Sequence, residues 1–392
     1  VITPEEAQAR ILALGAPVAI ESVAIGDAAG RWAARDIVAG RTQPNRDLSA
    51  MDGYAICCDD LPGPWRVIGE SAAGQPFAGQ VAQGQAVRIF TGAAVPHGAD
   101  TVIIQEEVAR KGDALTRTGE GPPHIGAHIR RAGSDFARND RLLAAGDELG
   151  PAALALAVMG GHGQVAVHRR IRVALLSTGN ELVPPGAEAG DDQLPNSNAP
   201  MLATLLRALP VDSVDLGIVC DDRAALAAAF AQASACDILV TSGGASVGDH
   251  DLVRPVLLDL GATIDFWKVA MRPGKPLMAG KLGDTIALGL PGNPVSAFVT
   301  ATLFLVPLVR HLSGARNPLP RRISATCTGQ LAAVGPRTDF IRARWDGGGL
   351  APLPSIDSGV LSSLARADAL IIREAGSAAA AQGLSVEAIL LS

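Results

Sequence analysis

RIRVALLSTGNEL, residues 170–182, reads as a strand (RIRVALLS) running straight into a turn that carries Thr178, Gly179 and Glu181. The residues that follow repeat this grammar. NAPMLATLLRAL (198–209) has the apolar spacing of a helix, VDSVDLGIV (211–219) that of a strand, RAALAAAFAQAS (223–234) a helix and CDILVTS (236–242) a strand. DLVRPVLLDL (251–260) is predicted helical, ATIDFWKVA (262–270) and TIALGL (285–290) extended, and the residues after Pro294 helical. Strands alternating with helices imply an α/β domain over roughly 170–312, its mostly parallel sheet covered on both faces.

Outside this stretch the texture changes. TPEEAQARILAL (3–14) predicts a helix with Thr3 as N-cap, Pro4 at its first position and Glu6 closing a capping box. From about 46 to 145, runs such as WRVIGE, QAVRIF and DTVIIQEEV alternate with Gly- and Pro-rich turns, which predicts a β-rich module. A short helix (AALALAVM) and a Gly-rich turn lie within 151–168. RNPLPRR (316–322) reads as a linker. ISATCTG, FIRARWD, ALIIRE and VEAILLS then predict a small C-terminal β-domain.

The bulk properties narrow the function. At 392 residues the chain outgrows a single core, and with 48% hydrophobic and 18% charged residues it is a folded globular protein. A net charge of -6 argues against a nucleic-acid partner or an electrostatically held membrane surface. Cys57, Cys58, Cys220, Cys236 and Cys327 form neither a disulfide framework nor a CxxC pair, so reduced thiols in a cytoplasmic protein are expected. No signal-peptide pattern opens the chain. The longest apolar stretch, Ala297 to Val309, contains Pro307 and is read as a buried helix too short to cross a bilayer. HExxH and P-loop motifs are absent, and a loose GxGxxA at 161–166 leads into a strand rather than a helix.

In an open parallel sheet, ligands gather beyond the carboxyl ends of the strands, and each loop there has chemistry to offer. The first holds Glu181, a metal or proton ligand. In ILVTSGGASVGDHD (238–251), Ser242, Gly243 and Gly244 let backbone N–H groups converge on an anion, with Asp249 and Asp251 to hold Mg²⁺ beside it. KVAMRPGKP (268–276) gathers Lys268, Arg272 and Lys275, with Lys281 close behind. Like charges about 4 Å apart repel by roughly 4 kcal/mol at an effective dielectric near 20, so such a loop suits an oxyanion guest. LGLPGNPVSAF (288–298) offers Asn293 as N-cap, Pro294 at the first position and a helix start that favours anions. Together they describe a pocket with acidic and cationic walls. Elsewhere, SAMDGYAI (49–56) and FTGAAVPHGADTVIIQEE (90–107) are turns by default, the latter before a strand ending in Glu106 and Glu107.

Taken in order, SAMDGYA, IFTGAAVP, RRAGSDF (130–136), LSTGNEL, TSGGASVGD, FWKVAMRPGKP, LPGNPVSAF and GVLSSLARADALI (359–371) resemble the molybdopterin molybdenumtransferase (MoeA/gephyrin) family over nearly the whole chain. The resemblance implies a homodimer whose protomers each hold four domains. These are a discontinuous hinge domain (1–45 and 146–169), a β-rich domain (46–145), a molybdopterin-binding α/β domain (170–315) and a C-terminal β-domain (320–392). It further implies that molybdate is inserted into adenylylated molybdopterin with Mg²⁺, releasing AMP and molybdenum cofactor. The adenylyltransferase of the same pathway and molybdoenzyme maturation proteins are the implied partners. By motif, Asp52, Thr91, Glu181, Asp221, Asp251, Lys268 and Lys275 are the implied catalytic residues, with Glu181, Asp249 and Asp251 at the metal. Ser242, Gly243, Gly244, Arg272, Pro291, Asn293, Pro294 and Ser296 would contact the pterin or its phosphate. Asp52 and Thr91 would reach the cleft from the other protomer. Arg272 stands where relatives often carry lysine, and whether Asp221 or Asp222 faces the ligand stays open. Three rival readings remain: a molybdopterin adenylyltransferase, a non-catalytic pterin-binding scaffold, and a sugar-phosphate or nucleotide enzyme on the same fold.

Overall fold

The structure, a computed structural model, describes residues 1–244, 252–354 and 357–391. Its central sheet has six strands in the order Val211–Val219, Ile171–Thr178, Ile238–Ser242, Thr285–Leu290, Pro276–Leu282 and Thr263–Lys268. The first four pair in parallel, as the alternating pattern predicts. Pro276–Leu282 runs antiparallel to both its neighbours, and the sequence reading had left it inside a cationic loop. Its leading proline, Gly280 and Lys281 mask the strand signal. Lys281 consequently pairs with Thr263 and Ile286 at the far end of this strand from Lys275, and leaves the cation cluster.

From Ile171–Thr178 the chain steps outward to Val211–Val219, then crosses back to place Ile238–Ser242 on the opposite side of the first strand. The direction of winding therefore reverses between the carboxyl ends at Thr178 and Ser242. That crevice is where an open α/β sheet receives ligands. Gly243 makes the crossing possible: its φ is 93°, and a β-carbon there would lie 2.3 Å from the Thr178 carbonyl oxygen.

The apolar helix after Pro294 runs to Leu312, longer than its apolar stretch suggested, and widens into a π turn at Ala301–Leu305 just ahead of Pro307. Proline has no N–H for the ordinary helical bond, which explains the local widening. At 19 residues this helix is long enough to span a membrane by length alone, but 83% of its apolar window is buried inside the protein. Burial, rather than the shortness expected from sequence, makes it a core helix. The first helix, Pro4–Ala13, packs Ala7 and Ile11 into the same core. Thr3 Oγ1 accepts the Glu6 N–H at 3.1 Å as a cap should. The Glu6 carboxylate accepts from Arg10 at 2.6 Å, so the capping box closes on one side only.

The β-rich module forms its own six-stranded sheet, in which Gly53–Ile56 lies between Thr101–Ile104 and Gln85–Ile89. The strand before Glu106 and Glu107 ends at Ile104; the two acids sit in a 3₁₀ turn, Gln105–Glu107, instead of closing the strand. A third six-stranded sheet is built mainly from the C-terminal residues, with Thr338–Trp345 and Ala369–Arg373 central. Its edge is not C-terminal at all. Met271–Arg272, from the RPGKP segment, pairs in parallel with Thr338 and Asp339.

Candidate functional site

Beyond the carboxyl ends of the parallel strands lies a cleft of about 1090 Å³. All four loops singled out in the sequence contribute to its wall. Glu181 comes from the first, Ser242, Gly243 and Gly244 from the second, and Arg272 and Lys275 from the third. Pro291, Asn293, Pro294 and Ser296 come from the fourth, and Asp221 from the end of Val211–Val219. Asp249 and Asp251 lie outside the described residues.

Local chemistry sets each group. Leu182 N–H closes a turn onto the Gly179 carbonyl, and the Glu181 carboxylate folds back over Gly179, where a β-carbon would meet its oxygens at 2.6 and 2.7 Å. Asp221 accepts the Thr178 hydroxyl at 2.6 Å, which ties it to the first strand's end. Asp222 instead caps the helix Arg223–Ala233 through the Ala225 N–H. Of the two adjacent acids, Asp221 is therefore the one in the cleft.

Three expectations are corrected. The Gly243 N–H donates to the Leu290 carbonyl at 3.3 Å, so it is not free to bind an anion. Asn293 occupies the N-cap position without capping: its amide donates to Ser358 Oγ at 2.9 Å, and the Val295 N–H goes to the Ser358 carbonyl. One N–H of the helix start is thus already taken by the protein. Lys268 does not line the cleft; its ammonium rests 4.6 Å from the centre of the Trp267 ring at the sheet's edge.

Residues that sequence reasoning missed also shape the wall. Arg337, Asp357 and Ser358 reach it from the C-terminal sheet. Buried Arg342 holds the rim by donating to the Asp357 carbonyl at 3.1 Å, and its burial pulls its pKa below the ordinary arginine value. Asn198 enters from the start of the helix Asn198–Arg207. Its amide donates to Ser242 Oγ at 2.8 Å and to the Gly292 carbonyl at 2.7 Å, locking two of the loops together. A polar run such as LPNSN before a helix is the one signal that pointed to it.

Asp52 and Thr91 are brought together but not to this cleft. Gly53 and Ile89 are register partners on neighbouring strands, which places Asp52 beside Thr91 just past the strand ends. The Thr91 N–H and hydroxyl both donate to Asp52 Oδ1, at 2.7 and 2.9 Å. These bonds, the backbone one foremost, hold the Asp52 carboxyl below the usual aspartate range, with help from the positive charge of Arg88. Arg88 itself stacks over Tyr54 and Phe90 and was not foreseen.

Comparison with known proteins covers the chain end to end. Residues 2–161 match the MoeA N-terminal region (domain I and II), 174–311 a probable molybdopterin binding domain, and 324–391 the MoeA C-terminal region (domain IV). The molybdopterin molybdenumtransferase of Haemophilus influenzae is 39% identical over 346 residues, covering 87% of this chain and 85% of that one. The enzyme of the same name from Staphylococcus aureus is 31% identical over 404 residues, covering 99% and 95%. Among solved structures, a molybdopterin biosynthesis MoeA protein from Pyrococcus horikoshii superposes with a TM-score of 0.81 at 30% identity, over 100% of this chain and 99% of that one. A second structure of a MoeA protein from Pyrococcus horikoshii OT3 gives 0.86 at 26% identity, with full coverage of both chains. With its three family regions in order along the chain and a cleft of mixed charge in the second and third, the chain belongs to the MoeA family of molybdopterin molybdenumtransferases.

Proposed function

We propose that this chain performs the metal-insertion step of molybdenum cofactor biosynthesis, accepting adenylylated molybdopterin and molybdate and releasing AMP with the finished cofactor. One observation carries the reading: carboxylates (Glu181, Asp221) and cations (Lys275, Arg337) share a single cleft at the sheet's switch point. Such a cleft suits a substrate that brings phosphate and an oxyanion together. The rival adenylyltransferase and scaffold readings are not favoured, because the matched regions extend through the N-terminal and C-terminal MoeA domains.

Magnesium belongs to the same reading. Mg²⁺ binds through one or two carboxylates, with waters and substrate phosphate oxygens completing its shell. Glu181 and Asp221 are hard oxygen donors of that kind, and only one oxygen of Asp221 is engaged by Thr178. No group of three or more His, Cys, Asp or Glu side chains among the described residues is arranged to hold a metal; Asp249 and Asp251, the other two acids assigned to the metal, lie outside those residues. Bound there, Mg²⁺ would neutralise phosphate charge. Lys275 attracts the oxyanion, and Asn198 keeps the pterin-side loops in register.

A cytoplasmic homodimer completes the proposal. The β-rich module of one copy would present Asp52 and Thr91 to the cleft of the other, and the adenylyltransferase and molybdoenzyme maturation proteins would be upstream and downstream partners. The four-domain division, with its hinge at 1–45 and 146–169, is part of the same proposal. A separate buried cluster formed by Ala28, Ile37, Leu149 and Val165 supports the hinge.

The direct test is Lys275→Ala. Its ammonium is exposed and makes no hydrogen bond or ion pair among the described residues, so the circular dichroism spectrum and Tm should stay at wild-type values. Molybdate-dependent AMP release should fall at least about a hundredfold, the range expected for losing a charged contact made in the reaction. Wild-type turnover in this variant would overturn the anion-site assignment.

A further inference from the structure

The β-rich module holds an organised cluster of its own, built on Arg88. The guanidinium lies over two aromatic rings, 5.1 Å from the centre of Tyr54 and 4.7 Å from that of Phe90. Its Nη1 donates to the Gly53 carbonyl at 3.0 Å, and its Nη2 to Gln105 Oε1 at 2.6 Å. The other end of that amide donates to Glu106 at 3.3 Å, which keeps Oε1 turned to Arg88. The Gln105 N–H in turn donates to the Asp52 carbonyl at 3.1 Å. These bonds close a ring that runs from Arg88 through Gly53, Asp52 and Gln105 back to Arg88.

Register explains how the ring forms. Tyr54 pairs with Arg88 on one side and with Ile103 on the other, so residues 52–54 pass between the strand of Arg88 and the turn that holds Gln105. An acid was available on the opposite flank, because Glu70 is the register partner of Arg88 on Trp65–Ser71. No ion pair joins them among the described residues; the fork turns to Gly53 and Gln105 instead. An exposed pair with Glu70 would hold the side chain only weakly, whereas stacking and two N–H···O bonds fix a planar fork. Two residues beyond Phe90's neighbour Ile89, the same strand end supplies Thr91, which donates twice to Asp52. Asp52 is thus held at three points: its carboxylate by Thr91, its own carbonyl by Gln105, and the next carbonyl by Arg88. Both Thr91 bonds fall on Oδ1, which leaves Oδ2 without a hydrogen bond among the described residues.

We infer that Arg88 is a positioning residue for the reaction: it clamps the backbone beside Asp52, so aiming that carboxylate at the cleft of the partner copy, and does not itself touch substrate. This rests on the reading above that Asp52 serves the reaction. An arginine kept only for the stability of the module had Glu70 within reach of its strand; this one spends both arms of its fork around Asp52.

The experiment measures molybdate-dependent AMP release by the full chain, with kcat and KM separated, and follows the Thr91 amide in proton–nitrogen NMR spectra. Arg88→Gln should lower kcat roughly ten- to a hundredfold, the scale of a misplaced reacting group, with KM for either substrate shifting by less than about threefold. Arg88→Lys keeps the charge but not the fork, so its kcat should stay within about threefold of Arg88→Gln. Gln105→Ala, at an exposed position, removes one arm of the clamp and should lower kcat about three- to tenfold. In each variant the Thr91 amide should move toward the position it takes in Asp52→Ala, which lacks the acceptor. A folded Arg88→Gln with kcat within about twofold of wild type overturns the inference. So does a loss carried by KM, which would make Arg88 a substrate contact, or full recovery in Arg88→Lys, which would assign the effect to charge. A fall in kcat with the Thr91 amide unmoved overturns it as well. Should Arg88→Gln fail to fold, Gln105→Ala decides by the same criteria. Asp52→Ala separates the two levels: wild-type turnover there removes the role of Asp52 itself, whereas inactivity there beside a normal Arg88→Gln sinks this inference alone.

Discussion

Single residues in this protein owe their roles to partners that are distant in sequence. Asp52 is a plain aspartate in a turn until Thr91 donates two hydrogen bonds to one of its oxygens. Its pKa is lowered in the fold, so the ionised clasp is complete above the ordinary aspartate value of about 4 and is lost as pH falls through the depressed value. Thr91→Val keeps the backbone donor and removes the hydroxyl. The Asp52 carboxyl should then titrate closer to its ordinary value in a carbon-detected NMR titration; an unchanged midpoint would show that the hydroxyl has no part in it. In the sequence both residues read as standing beside turn glycines, but Gly53 opens a strand, and only its register with Ile89 brings Asp52 and Thr91 into contact. Arg272 gives the opposite lesson. Its place in a cationic loop made it an anion ligand on paper, and a carboxylate on the strand paired with it takes its charge. No local pattern around residue 272 announces Asp339.

At the scale of elements, the parallel strands were legible because they are near-continuous apolar runs buried along almost their whole length, separated by helices of amphipathic spacing. The strand Pro276–Leu282 escaped because its composition is that of a loop, and it is specified by its two neighbours instead. The glycines after Ser242 were read as an anion cradle. Gly243 is needed for a different reason: the chain must pass close to the Thr178 carbonyl with a positive φ. Gly243→Ala should therefore destabilise the α/β layer by about 3 kcal/mol, combining backbone strain with a contact no side chain tolerates. Urea unfolding of the intact chain measures it, and a loss under about 0.5 kcal/mol would mean that the crossing relaxes freely.

For the whole molecule, the cleft draws on two sheets in one chain, and the proposed active unit also draws on a second copy for Asp52 and Thr91. That makes a mixing prediction. Asp52→Ala and Lys275→Ala should each be inactive alone, yet equal mixtures, after subunit exchange, should recover up to roughly a quarter of wild-type activity through mixed dimers with one intact site. Mixtures as inactive as their components, with exchange confirmed by mass, would place both residues in separate functions or in one protomer's own site. Family motifs along nearly the whole chain had announced these long-range roles, whereas composition and spacing alone reached only the α/β loops.

The borrowed strand Met271–Arg272 has one more implication. Because those two residues are hydrogen-bonded into the C-terminal sheet while their own chain continues into the central one, the lysine loop is strung between two sheets like a guy-rope. Any small rotation of one sheet against the other changes the tension there before it disturbs either core. Turnover should thus register such a tilt well before calorimetry registers any loss of heat stability.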